Sequence, residues 1–286
     1  MSQESCRGGC LCGAVTFTAS GAMMTPNACH CAMCRRWHGA LGVYTSAPRE
    51  RVVVSGAEHV AWYQSSPGIE RGFCRRCGSK LFWRKDDRSD LDLVMGCLDA
   101  PTGLKIAKHI WVAFKGDYYD ITDDLPQYAH SAADADPAPP APPLPAMAVQ
   151  PSVHTGRCLC GAIHLTITGP MRDISMCHCS QCRRWHGHSP GYSKAKWANI
   201  QLTGHEDLRW FASSTMARRG FCGRCGSSLF WELTGNDAVS ISAGTLDAPT
   251  GLRERHHIFV AEKGDYYDIP GTLPQFPASG GNALPF

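Results

Sequence analysis

The segment CHCAMCRRWHG at Cys29 returns as CHCSQCRRWHG at Cys177, and this repetition constrains the fold more than any other feature. CLCGAVTFT at Cys10 returns as CLCGAIHLT at Cys158, an interval of 158 − 10 = 148 residues, and RGFCRRCGSKLFW at Arg71 returns as RGFCGRCGSSLFW at Arg219. LDAPTGL and KGDYYDI repeat at the same interval. A register that never slips marks a tandem duplication of one domain without internal insertion. The expected organisation is one copy over 1–128, a second over 153–278 and a connector over 129–152. The connector, AHSAADADPAPPAPPLPAMAVQPS, is too rich in Pro and Ala to bury a core and suits an extended, semi-rigid spacer.

The duplication also sorts the cysteines. Of the 16 present, Cys6 aligns with His154 and Cys97 with Thr245, so neither is needed by both copies; 16 − 2 = 14 remain, seven per copy. With 43% hydrophobic and 19% charged residues, the chain reads as an ordinary soluble globular protein. A net charge of +3 is too mild for a nucleic-acid binder. No run approaches the roughly 18 apolar residues of a membrane span. The N-terminus, MSQESCRGGCLCGAV, lacks the basic-then-apolar pattern of a secretion signal, so a reducing cytoplasm is expected. There, clustered thiolates hold metal more readily than they form disulfides.

Val15 and Phe17 alternate with Thr16 and Thr18, as Ile163, Leu165 and Ile167 do with His164, Thr166 and Thr168; this period of two predicts half-buried strands. RVVVSG, HVAWYQS, KLFWRK and LDLVMG read as further short strands between Gly, Pro and Asp turns. Only the stretch after Cys34 or Cys182 suggests a helical turn. Each copy is therefore expected to be mostly β.

Within a strand, residues i and i+2 share a face, so Cys10 and Cys12 can reach one metal ion. Cys74 and Cys77, followed by Gly78, form a turn that presents two more thiolates, completing a four-sulfur structural set. Cys29, Cys31 and Cys34 remain, with no fourth cysteine common to both copies. Three protein ligands and an open position suit a reactive site; alternatively a histidine, His38 (His186 in the second copy) rather than His30 (His178), closes the tetrahedron. Zinc with three thiolates carries a formal −1, a poor generator of hydroxide and a better holder of a soft thiol. Arg35 and Arg36, with Arg183 and Arg184, stand next in sequence and could fork onto a substrate carboxylate.

The combination CxCG, CHCxxCRR and RxFCxxCGSxLFW resembles the glutathione-dependent formaldehyde-activating family, which includes centromere-protein-V-like domains, over both copies. The resemblance implies a β-tent (Mss4-like) fold with one four-cysteine zinc and one three-cysteine zinc per domain, four zinc ions per chain, the latter beside a glutathione site. Carried over, Cys10, Cys12, Cys74 and Cys77, with Cys158, Cys160, Cys222 and Cys225, are the structural ligands. Cys29, Cys31 and Cys34, with Cys177, Cys179 and Cys182, are the functional ones. The implied reaction joins a small-molecule thiol such as glutathione to formaldehyde, giving S-hydroxymethylglutathione; in reverse it is a carbon–sulfur lyase. The competing expectation is a zinc-stabilised interaction module without turnover.

Other residues carry weaker signals. Asp99 and Asp247, each ten residues before His109 and His257, pair as an acid–base relay or, more simply, start an Asp-Ala-Pro turn beside a core histidine. Tyr44 and Tyr192 suit a pocket wall. Trp37, Trp83, Trp185 and Trp231 suit core or pocket walls.

Overall fold

A computed structural model describes residues 5–131, 137, 144 and 149–280; most of the Pro/Ala connector lies outside the described residues. The first half runs β1 (Ser5–Gly9), β2 (Thr16–Ser20), β3 (Asn27–Cys29), α1 (Ala32–His38), β4 (Gly42–Pro48), β5 (Val52–Ser55), β6 (Val60–Ser66), β7 (Ile69–Cys74), β8 (Lys80–Lys85), β9 (Asp90–Val94) and β10 (Lys108–Ile110). A small antiparallel sheet, β1-β2-β5, sits beside a seven-stranded sheet ordered β10-β3-β4-β9-β8-β7-β6. The pattern at Thr16–Ser20 works as expected: Phe17 and Ala19 are buried, Thr16 and Thr18 exposed. The second half repeats the plan with β11 (Val153–Arg157), β12 (His164–Thr168), β13 (Arg172–Cys177), α2 (Ser180–His186), β14 (Gly191–Lys196), β15 (Ile200–Thr203), β16 (Leu208–Ala212), β17 (Ala217–Cys222), β18 (Ser228–Leu233), β19 (Ala238–Ser242), β20 (Glu254–Ile258) and β21 (Gln275–Phe276). Its sheets are β11-β12-β15 and β16-β17-β18-β19-β14-β13-β20-β21. The protein is mostly β, with two sheet-rich domains.

Two local expectations are corrected. The helix starts two residues before Cys34, not after it, because the Cys31 sulfur accepts the Cys34 N–H at 3.4 Å and caps the first turn. Gly39, at φ 97°, ends it. The Cys10–Cys12 pair lies in a turn following β1 rather than in a strand. Gly13 N–H bonds back to the Cys10 carbonyl, and the Ser79 hydroxyl accepts the Leu11 N–H at 2.9 Å, folding the chain over the Cys74–Cys77 turn.

The halves pack face to face with pseudo-twofold reciprocity. Trp37 donates its indole N–H to the Cys225 carbonyl at 2.7 Å, and Trp185 donates to Cys77 at 2.5 Å. Arg36 pairs with Asp247 and Arg184 with Asp99, both at 2.5 Å. The Gly96 N–H bonds the Gly187 carbonyl at 2.7 Å, and the Gly244 N–H bonds Gly39 at 2.8 Å. His38 and His186 each direct Nδ1 at the other's carbonyl, which places them on the axis. Lys80 and Ser228 also hold equivalent positions and touch each other there, but they break the symmetry: the fully buried ammonium bonds the Ser228 hydroxyl. Gly78 and Gly226 lie under Phe221 and Phe73, where an added Cβ would come within 2.5 Å of the ring. The two copies thus share one core.

Candidate functional site

Each half gathers its seven shared cysteines into two clusters. Cys10, Cys12, Cys74 and Cys77 bring their sulfurs within 4.8 Å of one another, as do Cys158, Cys160, Cys222 and Cys225; Cys29, Cys31 and Cys34, and Cys177, Cys179 and Cys182, form triads. Sulfur separations are 3.5 Å for Cys10–Cys12, 3.8 Å for Cys12–Cys74 and 3.6 Å for Cys177–Cys179. A disulfide needs about 2 Å. Four sulfurs each about 2.3 Å from one tetrahedral ion stand about 3.8 Å apart, so the donor sets fit a metal.

The quartet is braced by the backbone: Cys10 accepts the Val15 N–H at 3.2 Å, and Gly78 takes φ 81° to turn the chain between Cys77 and Ser79. The triad stands at the start of α1, with Cys29 ending β3, Cys31 capping the helix and Cys34 on its first turn. It opens into a cleft of about 480 Å³, also lined by Tyr44, Arg71, Trp83, Ile110 and Trp111. In the second half the cleft is about 520 Å³, with Tyr192, Arg219, Trp231, Ile258 and Phe259 at the matching positions. Both volumes suit a small-molecule ligand.

Arg71 is the decisive neighbour. It is 2% exposed, directs both Nη atoms at the Cys34 sulfur at 3.7 Å, donates to the Tyr44 hydroxyl at 3.2 Å and lies over the Trp37 ring. Arg219 repeats the fork on Cys182 at 3.6 and 3.7 Å. A guanidinium buried this deeply needs an anion, and the sulfur supplies it. Cys34 is held well below the ordinary thiol value by hydrogen bonds from Cys29 and Cys31 and, against desolvation, by the Arg71 charge. Arg71 was not singled out from sequence, although the repeated RGFC motif carries it.

His38 does not join the triad. Its Nδ1 meets the His186 carbonyl, so that nitrogen carries the hydrogen of the neutral ring. Burial pushes its pKa down to about 3, keeping it neutral. Nε2 is then an acceptor for the Tyr44 hydroxyl at 2.6 Å, and burial holds the phenol protonated. His30 faces away from the cleft, bonding Tyr119 at 2.6 Å and His109 at 2.9 Å; His109 in turn meets Asp123 at 2.9 Å. The carboxylate partner of His109 is therefore Asp123, while Asp99 and Asp247 belong to the domain interface.

The four arginines expected at the site are placed otherwise. Arg35 Nε donates to the Phe114 carbonyl, Arg183 to Glu262 and His178 carbonyls, and Arg36 and Arg184 cross to the other half. None lines either cleft. Among the tryptophans, Trp83 and Trp231 wall the clefts and Trp37 and Trp185 bind the halves together. A further feature escaped sequence reasoning: Trp111 (φ 60°) and Phe259 (φ 56°), one in each cleft, take left-handed backbone conformations. Bulky side chains there cost on the order of 1–3 kcal/mol, a strain that collects at ligand-clamping positions.

The family profile described as glutathione-dependent formaldehyde-activating enzyme matches residues 5–114 and again 153–262. The chain belongs to that family. An uncharacterized lyase from Schizosaccharomyces pombe is 30% identical over 124 residues, 43% of this chain and 90% of that protein. A Halomonas elongata protein provisionally named a glutathione-dependent formaldehyde-activating enzyme is 42% identical over 90 residues, 28% of this chain and 56% of its own length. A crystal structure of a Rhodobacter sphaeroides protein covers 35% of this chain and 98% of its own at 22% identity and TM-score 0.30. Among the described residues, no helix is long and apolar enough to cross a membrane.

Proposed function

We propose that each half is a zinc-dependent carbon–sulfur lyase/synthase domain acting on a glutathione-like thiol adduct of the S-hydroxymethylglutathione type. The quartets act as structural zinc sites and the triads as thiol-positioning ones, making four zinc ions per chain. In this reading the reaction adds a thiol to formaldehyde: a carbon–sulfur bond forms, the carbonyl π bond breaks, and the thiol proton ends on the new hydroxyl. A zinc ion held by Cys29, Cys31 and Cys34, or by Cys177, Cys179 and Cys182, would lower the pKa of an incoming thiol and fix its sulfur.

The chain's own residues do the rest. Arg71 and Arg219 offset the negative charge that a further sulfur adds to each triad. Tyr44 keeps its proton on His38 Nε2 and turns its oxygen toward Arg71, so it orients that guanidinium rather than titrating. Trp83, Ile110 and Trp111 give the cleft a dry wall against which a near-attack geometry can be held. The anion-binding role expected of Arg35 and Arg36 is here assigned to the cleft cations Arg71, Lys85 and Arg88, and in the second half to Arg172, Lys194 and Arg219.

The observation that carries the reading is the buried Arg71 fork on Cys34, repeated by Arg219 on Cys182. A thiolate joining the triad would add one more negative charge beside Cys34, and the buried fork supplies the positive charge to meet it. Calorimetric titration of the zinc-loaded chain with glutathione and with 2-mercaptoethanol tests it. Glutathione should bind more tightly at both triads. Equal affinity for the two removes the cationic cleft's role, and no thiol binding removes the thiol site.

A further inference from the structure

The two clefts share their inner ends but exchange their outer walls. At the thiolate end Tyr44, Arg71, Trp83 and Ile110 match Tyr192, Arg219, Trp231 and Ile258. Further out the first cleft is lined by Lys85 and Arg88, whose counterparts 148 residues on are Leu233 and Asn236. The second cleft is lined instead by Arg172 and Lys194, whose counterparts 148 residues back are Met24 and Ser46. Each half thus has two wall cations where the other has neutral residues, and they sit on different strands. Lys85 ends β8 and Arg88 follows it, whereas Arg172 opens β13 and Lys194 lies in β14. Within the sheet the two positions flank one strand, β9 in the first half or β19 in the second.

The polar partners changed with them. In the first cleft Asp92 accepts from Ser46 at 2.6 Å and from Arg88 at 3.2 Å. In the second, Ser240 replaces Asp92 and Lys194 replaces Ser46. Arg172 donates one Nη to the Tyr192 carbonyl at 3.2 Å, and its buried Nε has no partner among the described residues. The carboxylate of the second cleft comes from Glu262, which accepts from Ser180 and replaces Phe114. Two copies that kept seven cysteines and the arginine fork carry their cleft cations on different strands, Lys85 and Arg88 being paired with Asp87 and with Asp90 and Asp92.

From this we infer that the two halves have different substrate selectivities: each seats a thiol sulfur at the same triad but grips the carboxylates of its ligand from cations on a different strand. Lys85 and Arg88 set the preference of one half, and Arg172 and Lys194 set that of the other. This rests on the thiol-site reading above. One chain accordingly handles two thiols, or two adducts of one thiol, that differ in where their carboxylates stand relative to sulfur.

The test is calorimetry on the zinc-loaded full chain with glutathione and its two mono-amides, one blocked at the glycine carboxylate and one at the glutamyl carboxylate. Cys29→Ser and Cys177→Ser, each checked for three remaining zinc ions and an unchanged circular dichroism spectrum, assign each binding phase to a half. The rank order of the three ligands should differ between halves. K85L/R88N should weaken glutathione about tenfold in the first half alone, and R172M/K194S about tenfold in the second alone, the size of a lost charge-assisted contact. The same rank order in both halves, or wall variants that shift both phases together or neither, overturns the inference while leaving the thiol site standing. Absence of binding by any of the three thiols overturns the thiol-site reading and the inference with it.

Discussion

Replacing Arg71 with Met, close to it in length and without charge, should loosen one of the four metal ions proposed. The guanidinium makes two contacts to the Cys34 sulfur at 3.7 Å and one to Tyr44 at 3.2 Å, and is 2% exposed. Removing one member of a buried ion pair costs about 3–5 kcal/mol, mostly because the remaining charge is stranded. Part of that is relieved by protonating a thiol, so a loss of about 3 kcal/mol, near 150-fold in zinc affinity, is expected. The direction with pH follows from Cys34, whose pKa is held down in the folded chain. The stabilisation from its thiolate is present above the thiol's unfolded value and is lost as pH falls through the depressed one. R71M removes part of what holds the Cys34 thiolate, so acid release of that ion should begin at a higher pH than in the parent chain. A chelator titration with a chromogenic zinc dye reads both effects. The second half, with Arg219 intact, is the internal control: three ions should leave as in the parent chain and one far earlier. Four ions released at parental chelator concentrations would refute the argument. R71K, with charge but no fork, should lie between the two.

Cys29→Ser should cost one zinc ion and leave the halves folded, whereas Cys10→Ser should unfold the first half and, through the shared core, the second with it. A structural zinc is worth roughly 10–16 kcal/mol, as much as a whole domain's stability; equal unfolding by the two variants would contradict the division of roles. Trp185→Phe removes the cross-domain bond to the Cys77 carbonyl. It should cost about 1–3 kcal/mol and lower a single melting transition by about 2–10 °C, and two separated calorimetric transitions would show that the halves do not fold as one unit. Glu254 is raised to about 8 by desolvation and by Asp120. It is therefore protonated in the folded chain and ionised in the unfolded chain at pH 7, so its effect is neutral near pH 4 and increasingly destabilising up to about pH 8. E254Q should be more stable than the parent at pH 8 and close to it near pH 4; a constant difference across that range would contradict this sign.

Much of the architecture was legible because duplication exposed it. The division of fourteen cysteines into quartets and triads followed from which residues both copies keep, and the sulfurs converge in those groups. The strands with clean alternation, such as Thr16–Ser20, also emerged. What failed did so for geometric reasons. Arg35 and Arg36 adjoin Cys34 in sequence, but a helix turns about 100° per residue, so they leave the face that carries the sulfur. Arg71, 37 residues away, arrives on β7 and reaches it. His38 suited a metal ligand, Trp37 a core or pocket wall, and Gly78 the turn after Cys77. They serve the contact between halves, which no pattern within a single copy reveals.

The Lys80–Ser228 contact has an evolutionary consequence. Two identical copies meeting about a twofold axis must present the same residue to itself there, so a lysine at that point would face a lysine without an intervening anion. Fusing the copies into one chain removed that constraint. A mutation in either half no longer appears on both sides of the seam, and Lys80 could settle against a hydroxyl. The first half can no longer pair comfortably with its own duplicate, so its companion is fixed by covalent linkage as well as by shape.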